Sequence, residues 1–404
     1  MSTPILILTA SYGEGHNAAA RALAQAINTQ GGERTARVVD AFELAGPRRN
    51  ALSRRVYLGL INRAPGIWRA AYTWLDRSPR APALLRLLAR ERGALARILA
   101  QEQPALLCST YPVYGYLLDQ LHRSGQAPIP HYNVVTDSIS INSLWWRARC
   151  DGWFLPNEDS ATVLRQAGIP GRLLHVHGFP VDRQFGSTHP AAAAITDLSS
   201  GVRPRVLYIV NSRTAAAVEL ARQLVQRPEW DVTCTVGRNE PLRVELAALA
   251  QQRPPGAGVA RVLGWTDEIP ALLQTHHVVV SKAGGATTQE ALAARCPMIV
   301  NQIVPGQEEG NYELLRRHRI GTLAETPRAV LAALELAFRD GGAVWQAWRR
   351  ALQPLSRPQA APDIARIVLA RLGRLQEPIP LPMRGNPEVP MLPSTASVPL
   401  SASG

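Results

Sequence analysis

ILILTASYGEGHNAAARAL, residues 5–23, is an apolar run, a turn with glycines at 13 and 15, and an alanine-rich stretch with helical character. Strand, glycine turn and helix in that order are the unit of a parallel α/β layer, in which the helix start brings backbone N–H groups and the positive end of the helix dipole up to the turn. His16 stands at that helix start, between Gly15 and Asn17.

The same grammar returns in VVVSKAGGATTQEALA, residues 278–293, with glycines at 284 and 285 and a helix expected to open near Thr287. A glycine pair lets backbone approach a diphosphate, the helix start adds N–H donors, and Lys282 adds a point charge. Glu290, one turn further on, is placed to accept from two neighbouring hydroxyls, as a ribose presents them, or to be a solvated helix carboxylate. PGQEEGN, residues 305–311, follows the apolar run PMIVN and offers Gln307, Glu308 and Asn311. Amide and carboxylate groups on such a loop suit a polyol, whose hydroxyls both donate and accept; taken alone, the stretch also reads as an ordinary polar turn.

Working outward, strands are expected at Ile5–Ala10, Ala36–Asp40, Ala105–Ser109, Tyr132–Thr136, Gly152–Pro156 and Leu174–His177, and then again at Val206–Asn211, Val232–Val236, Val259–Leu263, Val278–Ser281 and Met298–Asn301. The alternation with helical stretches makes the fold class α/β, two doubly wound Rossmann-like domains facing a cleft. Residues 1–185 form the first domain, 186–201 a linker and 202–356 the second domain. A helix at 357–375 is expected to return to the first domain, and 376–404, rich in Pro and Ser without periodicity, reads as a disordered tail.

A chain of 404 residues with 46% apolar content is long enough for two cores. No apolar stretch reaches the roughly 18 to 20 residues that span a bilayer, and the N-terminal run carries neither a basic leader nor a small-residue cleavage site, so a cytoplasmic protein is expected. Cys108, Cys150, Cys234 and Cys296 lack paired spacing, which disfavours a zinc site or disulfide framework and suggests buried thiols. The net charge of +13 attracts polyanions of any kind: nucleic acid, anionic lipid or phosphorylated substrates. It is almost entirely arginine, Lys282 being the one lysine, a bias that base composition alone can produce.

Taken in order, SYGEGHNAAARAL, VVTDSISINSLWW, SKAGGATTQEALA and VPGQEEGN resemble the diacylglycerol glycosyltransferases: plant monogalactosyldiacylglycerol synthases, bacterial processive diacylglycerol glucosyltransferases and, more distantly, the cell-wall enzyme that adds N-acetylglucosamine to a lipid-linked intermediate. The resemblance implies the GT-B fold, with an N-terminal acceptor and membrane-binding domain and a C-terminal nucleotide-sugar domain. It implies a UDP-sugar donor, a diacylglycerol-type lipid acceptor and transfer of a hexose, glucose or galactose. His16 then matches the catalytic base, Glu290 the ribose ligand, and Gln307 and Glu308 the sugar-contacting pair. Gly13, Gly15, Gly284, Gly285, Thr287, Lys282 and Asn311 fall on the donor side. Trp265 and Thr266, in VLGWTDEIP, occupy the place where relatives hold uracil; the alternative for Trp265 is an ordinary core tryptophan. Asp137 and Trp145 fall on the acceptor side, Asp137 either orienting His16 or serving as a turn residue.

Two departures stand out. LYIVNSRTAAAVEL has no glycine where the family runs a glycine-rich loop under the phosphates, leaving Asn211, Ser212, Arg213 and Thr214 for that task. Asn142 precedes Trp145 where many relatives have histidine. Between the second and third strands, Arg48 to Leu99 interleaves arginines with Trp, Tyr, Leu and Ile, which suits either an anionic membrane surface or a helical subdomain with a solvated arginine face. No Asp-x-Asp pair is present to hold a metal, so helix dipole, glycine amides, Lys282 and Arg213 must meet the leaving-group charge. No cofactor, no metal and no specific nucleic acid are expected, and the protein is expected at the cytoplasmic face of the membrane. With His16 as the one evident base, single displacement with inversion follows. A nucleotide-sugar epimerase of the same fold, or a weakened homologue that binds nucleotide sugar or lipid, are the competing readings.

Overall fold

The computed structural model describes residues 3–78, 80–187, 189, 198, 201–212, 214–306 and 308–376. Most of the expected linker, the tail beyond 376, Arg213 and Gln307 lie outside the described residues.

The first sheet has six parallel strands, β1 (Ile5–Leu8), β2 (Ala36–Val39), β3 (Leu106–Ser109), β4 (His131–Val134), β5 (Gly152–Leu155) and β6 (Leu174–Val176), in the order β2-β1-β3-β4-β5-β6. Ile5, Leu6, Ile7 and Leu8 are all fully buried, as expected of a parallel strand covered on both faces. Helix α1 (Glu14–Gln30) follows β1. The connection from β2 to β3 carries the arginine-rich insertion as α2 (Ala41–Ala45), α3 (Pro47–Arg63), α4 (Pro65–Arg77), α5 (Ala81–Leu84) and α6 (Ala89–Glu102). Proline opens both α3 and α4, where its missing N–H costs nothing. α7 (Val113–Arg123) and α8 (Glu158–Gln166) complete this layer.

The second sheet has strands β7 (Arg205–Ile209), β8 (Asp231–Thr235), β9 (Ala260–Leu263), β10 (Val278–Lys282), β11 (Met298–Gln302) and β12 (Gly321–Leu323), in the order β12-β11-β10-β7-β8-β9. Numbered from its own first strand this is the 3-2-1-4-5-6 order of dinucleotide-binding sheets. Its helices are α9 (Ala215–Gln226), α10 (Glu240–Gln251), α11 (Ile269–Thr275), α12 (Gly285–Ala294), α13 (Glu309–His318) and α14 (Pro327–Leu352), the last broken by non-helical backbone at residues 339–342. β12 was not expected from the sequence: it is a three-residue edge strand of half-buried residues, too short to show a periodicity.

In each sheet the strand order reverses once, between β1 and β3 in the first and between β7 and β10 in the second. Ligands of open α/β sheets bind at the carboxyl ends of the strands at such a point. His16 follows β1, and the Gly284–Gly285 pair follows β10.

A last helix, α15 (Ala360–Gln376), lies on the first sheet's side. Ile364, Ala365, Val368 and Leu372 are buried in one core cluster with Ile5 and Ile7 of β1 and Leu23 and Ile27 of α1. Gln30 Nε2 donates to the Pro362 carbonyl at 3.3 Å. Three cysteines are buried; Cys150 is half-buried and its thiol is bonded to the Gly152 carbonyl.

Because Ile364 is wholly buried, Ile364→Ala should destabilise the protein by about 2–5 kcal/mol through lost burial and the cavity left behind. Thermal melting checks this, and an unchanged midpoint would mean that α15 does not dock in solution.

Candidate active site

The site is built where two helix N-termini meet. Neither Gly13, the N-cap of α1, nor Gly284, the N-cap of α12, supplies a side-chain cap, so the first-turn N–H groups of both helices are left for other partners. The helices approach closely: the position that a side chain on Gly15 would take lies 3.5 Å from the Ala286 backbone nitrogen. Thr287, in the first turn of α12, is half-buried.

His16 is buried at this junction. Its Nδ1 is 2.9 Å from Thr136 Oγ1, and its ring meets Tyr111 edge-on at 5.2 Å and lies 6.4 Å from the Trp145 ring. Burial pushes its pKa down to about 4, partly opposed by a hydrogen bond with the Thr110 backbone, so the imidazole is neutral at pH 7. Tyr111 follows β3, so His16 and Tyr111 come from the two strands that flank the first switch point.

The alternative that Asp137 orients His16 is not what the structure shows. Its neighbour Thr136 does so, while Asp137 accepts a hydrogen bond from Trp145 Nε1 at 2.7 Å. Burial raises the Asp137 carboxyl to about 6, partly offset by that bond. Trp145 is fully buried, and Asn142, in the place of the family's histidine, accepts from the Leu144 amide and so caps the short 3₁₀ turn Ser143–Trp145. After Asp137 the chain forms a hook into the second sheet's side. Ile139 takes φ of 56°, a left-handed conformation costly for a β-branched residue, and packs against the core of the second unit. Ser138 Oγ accepts from Gln289 Nε2 at 2.9 Å, and the Ser138 carbonyl presses on Gly310, where a Cβ would come within 1.8 Å of it.

Glu290 is half-buried on α12, and no described residue donates a hydrogen bond to it. Burial raises its carboxyl to about 7; Asp182 and Glu14 push the same way and Arg21 opposes. Lys282 is redirected by a bulge: Ser281 pairs with Val300, but Lys282 pairs with Gln302, skipping Asn301. Its ammonium forms an ion pair with Glu308, whose other oxygen accepts from the Val304 amide at 3.0 Å. Asn311 donates to the Ala283 carbonyl at 2.9 Å, and its buried Oδ1 has no partner.

The glycine-free loop after β7 is tied up by its own side chains. Asn211 donates to the Ile209 carbonyl and to Ser281 Oγ, Ser212 and Thr214 hydroxyls are 3.2 Å apart, and Thr214 caps α9. Trp265 is not a core residue: it is 67% exposed, with the Arg238 guanidinium 5.4 Å from its ring centre. Thr266 accepts from the Glu268 amide.

The insertion exposes Leu52, Val56, Ile67, Trp74, Leu84 and Leu87 among exposed arginines that include Arg54, Arg55, Arg69, Arg77 and Arg86. An open groove of about 690 Å³ runs along α4, lined by Gly66, Arg69, Ala70, Thr73, Trp74 and Arg77. Among the described residues no helix is long and apolar enough to cross a membrane.

MurG of Acinetobacter baumannii superposes with a TM-score of 0.60 over 91% of this chain and 99% of its own, at 13% identity. The UDP-GlcNAc 2-epimerase of Neisseria meningitidis, bound to UDP-GlcNAc, gives 0.54 over 92% and 100%, also at 13% identity. These likenesses show the GT-B fold, which glycosyltransferases and nucleotide-sugar epimerases share. Within that fold class the chain is a relative of the diacylglycerol glycosyltransferases. The model of the monogalactosyldiacylglycerol (MGDG) synthase family matches residues 16–181. Processive diacylglycerol beta-glucosyltransferases of Bacillus cereus (strain AH187) and Bacillus mycoides (strain KBAB4) are each 25% identical over 371 residues, 91% of this chain and 93% of theirs.

The Ser138 and Gly310 contact leaves no room for a methyl group. Gly310→Ala should therefore force the two units apart at the cleft, costing about 1–3 kcal/mol. Gly66→Ala, in open space on α4, should leave the melting temperature unchanged or slightly raised; equal midpoints for both variants would show that the cleft is not closed in this way.

Proposed function

We propose that this protein is an inverting glycosyltransferase that moves a hexose from a UDP-sugar to the hydroxyl of diacylglycerol or a closely related membrane lipid. The observation that carries the reading is the approach of the helix start that bears His16 to the uncapped start of α12, Gly15 lying against Ala286: a neutral, buried imidazole is set on one helix start and a cluster of N–H donors suited to a diphosphate on the other.

In this reading the diphosphate of the donor takes the N–H groups of the first turn of α12, where Gly284 and Gly285 let it come close. The helix dipole and Lys282 offset the charge that develops as the sugar leaves. Glu290 accepts from the ribose hydroxyls, Trp265 and Thr266 lie toward the base, and Glu308 and Asn311 toward the sugar. His16 takes the proton of the acceptor hydroxyl as that oxygen attacks the anomeric carbon, and the configuration inverts. Burial keeps the imidazole in the neutral form a base requires while lowering its basicity, and the Thr136 hydroxyl at Nδ1 keeps the ring oriented. Asp137 and Trp145 form the floor on the acceptor side.

The acceptor assignment draws on the insertion. Exposed apolar side chains ringed by arginine suit the headgroup layer of an anionic membrane, and the open groove along α4 lies on that surface. GT-B proteins include epimerases, so the fold alone leaves that reaction open. Kinship in sequence to lipid glycosyltransferases favours transfer.

Incubation with anionic liposomes containing diacylglycerol and a panel of nucleotide sugars should yield a glycolipid by mass spectrometry from one UDP-sugar. Isomerised donor without glycolipid would replace transfer with epimerisation. His16→Ala should lower turnover roughly 10² to 10⁴-fold while leaving donor affinity nearly unchanged. Donor affinity itself should fall as pH is lowered through about 7, because Glu290 becomes protonated there and can no longer accept from both hydroxyls. Calorimetric titration of Glu290→Gln should show weaker binding and a flat pH profile; a pH dependence that survives the substitution assigns it to another group.

A further inference from the structure

Tyr72, on the inner side of α4, touches both halves of the site. Its ring lies against Gly306, where a Cβ would sit 2.9 Å from Tyr72 Cδ1. Gly306 has φ of 82° and belongs to the loop that carries Glu308, so the ring packs on backbone that accommodates no side chain. One residue pair away, Arg69 NH2 of α4 donates to Glu309 Oε1, at the start of α13, at 2.7 Å. The far end of α4 is pinned as well: Asp76 accepts from the Ser143 amide at 2.6 Å, and Arg147 donates to the carbonyls of Asp76 and Ser78, each at 2.7 Å. The helix is thus fastened to the donor-side loop at its middle and to the turn that carries Trp145 at its end.

The Tyr72 hydroxyl is buried and its O–H has no acceptor, while the Asn142 side chain lies close enough to interact with its oxygen. The hydroxyl points to the side where Asp137, Asp76 and Asn142 sit. Trp68, one turn earlier on α4 with its ring 6.0 Å from that of Tyr72, also buries its indole N–H without a partner. From Trp68 a series of ring contacts reaches His16: Tyr57 at 5.0 Å, then Tyr12, Tyr111 and His16 at 5.9, 5.9 and 5.2 Å in turn. A buried donor without an acceptor costs stability, and proteins retain such groups where a ligand supplies the missing partner.

We propose that Tyr72 is the acceptor-positioning residue of this cleft: its hydroxyl donates to an ester carbonyl of the lipid acceptor while its ring holds the Gly306 loop of the donor side. This rests on the glycosyl-transfer reading and adds to it a chemical basis for choosing the acceptor. A diacylglycerol carries two ester carbonyls that accept and never donate, which matches buried O–H and N–H donors along an aromatic wall. An ether-linked dialkylglycerol offers the same free hydroxyl to His16 without those carbonyls.

The test compares wild type and Tyr72→Phe on diacylglycerol and on dialkylglycerol of equal chain length in the same vesicles, with donor binding measured separately. Wild type should show an apparent KM for the diacyl lipid about 5- to 30-fold below that for the dialkyl lipid, the factor expected of one hydrogen bond in a buried site. Tyr72→Phe should lose that preference by raising the diacyl KM alone, with donor affinity and kcat at saturating lipid within about twofold of wild type. Its melting temperature should be equal or higher, since the O–H it deletes has no acceptor within the protein. A variant that keeps the preference, weakens both lipids equally, or melts lower than wild type overturns the proposal and gives the hydroxyl a structural role. Wild type that glycosylates neither lipid overturns both this assignment and the reading on which it rests, whereas wild type active on both equally overturns the Tyr72 assignment alone.

Discussion

Two helix N-termini brought close together set the local electrostatics of the cleft. Each carries roughly half a unit of positive charge on its exposed N–H groups, so their approach across the cleft is unfavourable unless something negative lies between or beside them. Glycine at both N-caps removes the side-chain oxygens that would otherwise answer those N–H groups. The approach is held by apolar packing instead: Ala19 of α1 is buried in the cluster formed by Ala291 and Leu292 of α12, and Ile139 adds to it from the hook after Asp137. The hydrophobic contact thus keeps in place an arrangement that favours anions.

The same burial tunes the ionisable groups in opposite directions, because it always disfavours the charged form. His16 is driven down and stays neutral, whereas Asp137 and Glu290 are driven up toward the neutral range. Lys282, the one lysine of the chain, escapes isolation by pairing with Glu308. A donor sugar and diphosphate entering here would meet that ion pair already formed, so the cation is oriented in advance at the cost of part of its field. The glycine-free loop after β7 fits this picture. Asn211 and Thr214 spend their polar groups on holding the loop and capping α9, which leaves α12 as the principal source of backbone donors.

Much of the fold was legible because parallel strands covered on both faces are short, continuous apolar runs followed by helical stretches, and ILIL, VVVS and MIVN read directly as such. β12 escaped because three half-buried residues at a sheet edge carry no period. Trp265 illustrates a limit of composition: a tryptophan in an apolar context reads equally as core or as binding surface, and only its exposed position on the loop after β9 separates the two. Thr136 was passed over in favour of Asp137, although adjacent residues of an extended chain point to opposite sides, and that alternation was the available signal. Tyr72 and Trp68 lay within an insertion legible as amphipathic helices, but nothing local distinguishes the ring that turns inward to the cleft from those that face outward.

The amino-acid sequence by itself determined the order of strands and helices, the two glycine turns, the placing of His16 at a helix start and that of Glu290 within the helix after the second turn, because periodicity and turn chemistry act over a few residues. Tertiary structure alone decided that Thr136 meets His16, that Lys282 meets Glu308, that α15 returns to α1 and that Tyr72 closes on Gly306. Those pairings span 26 to more than 300 residues. They depend on strand order, on the register shift at Lys282 and on the depth to which one unit packs into the other, none of which a local pattern encodes.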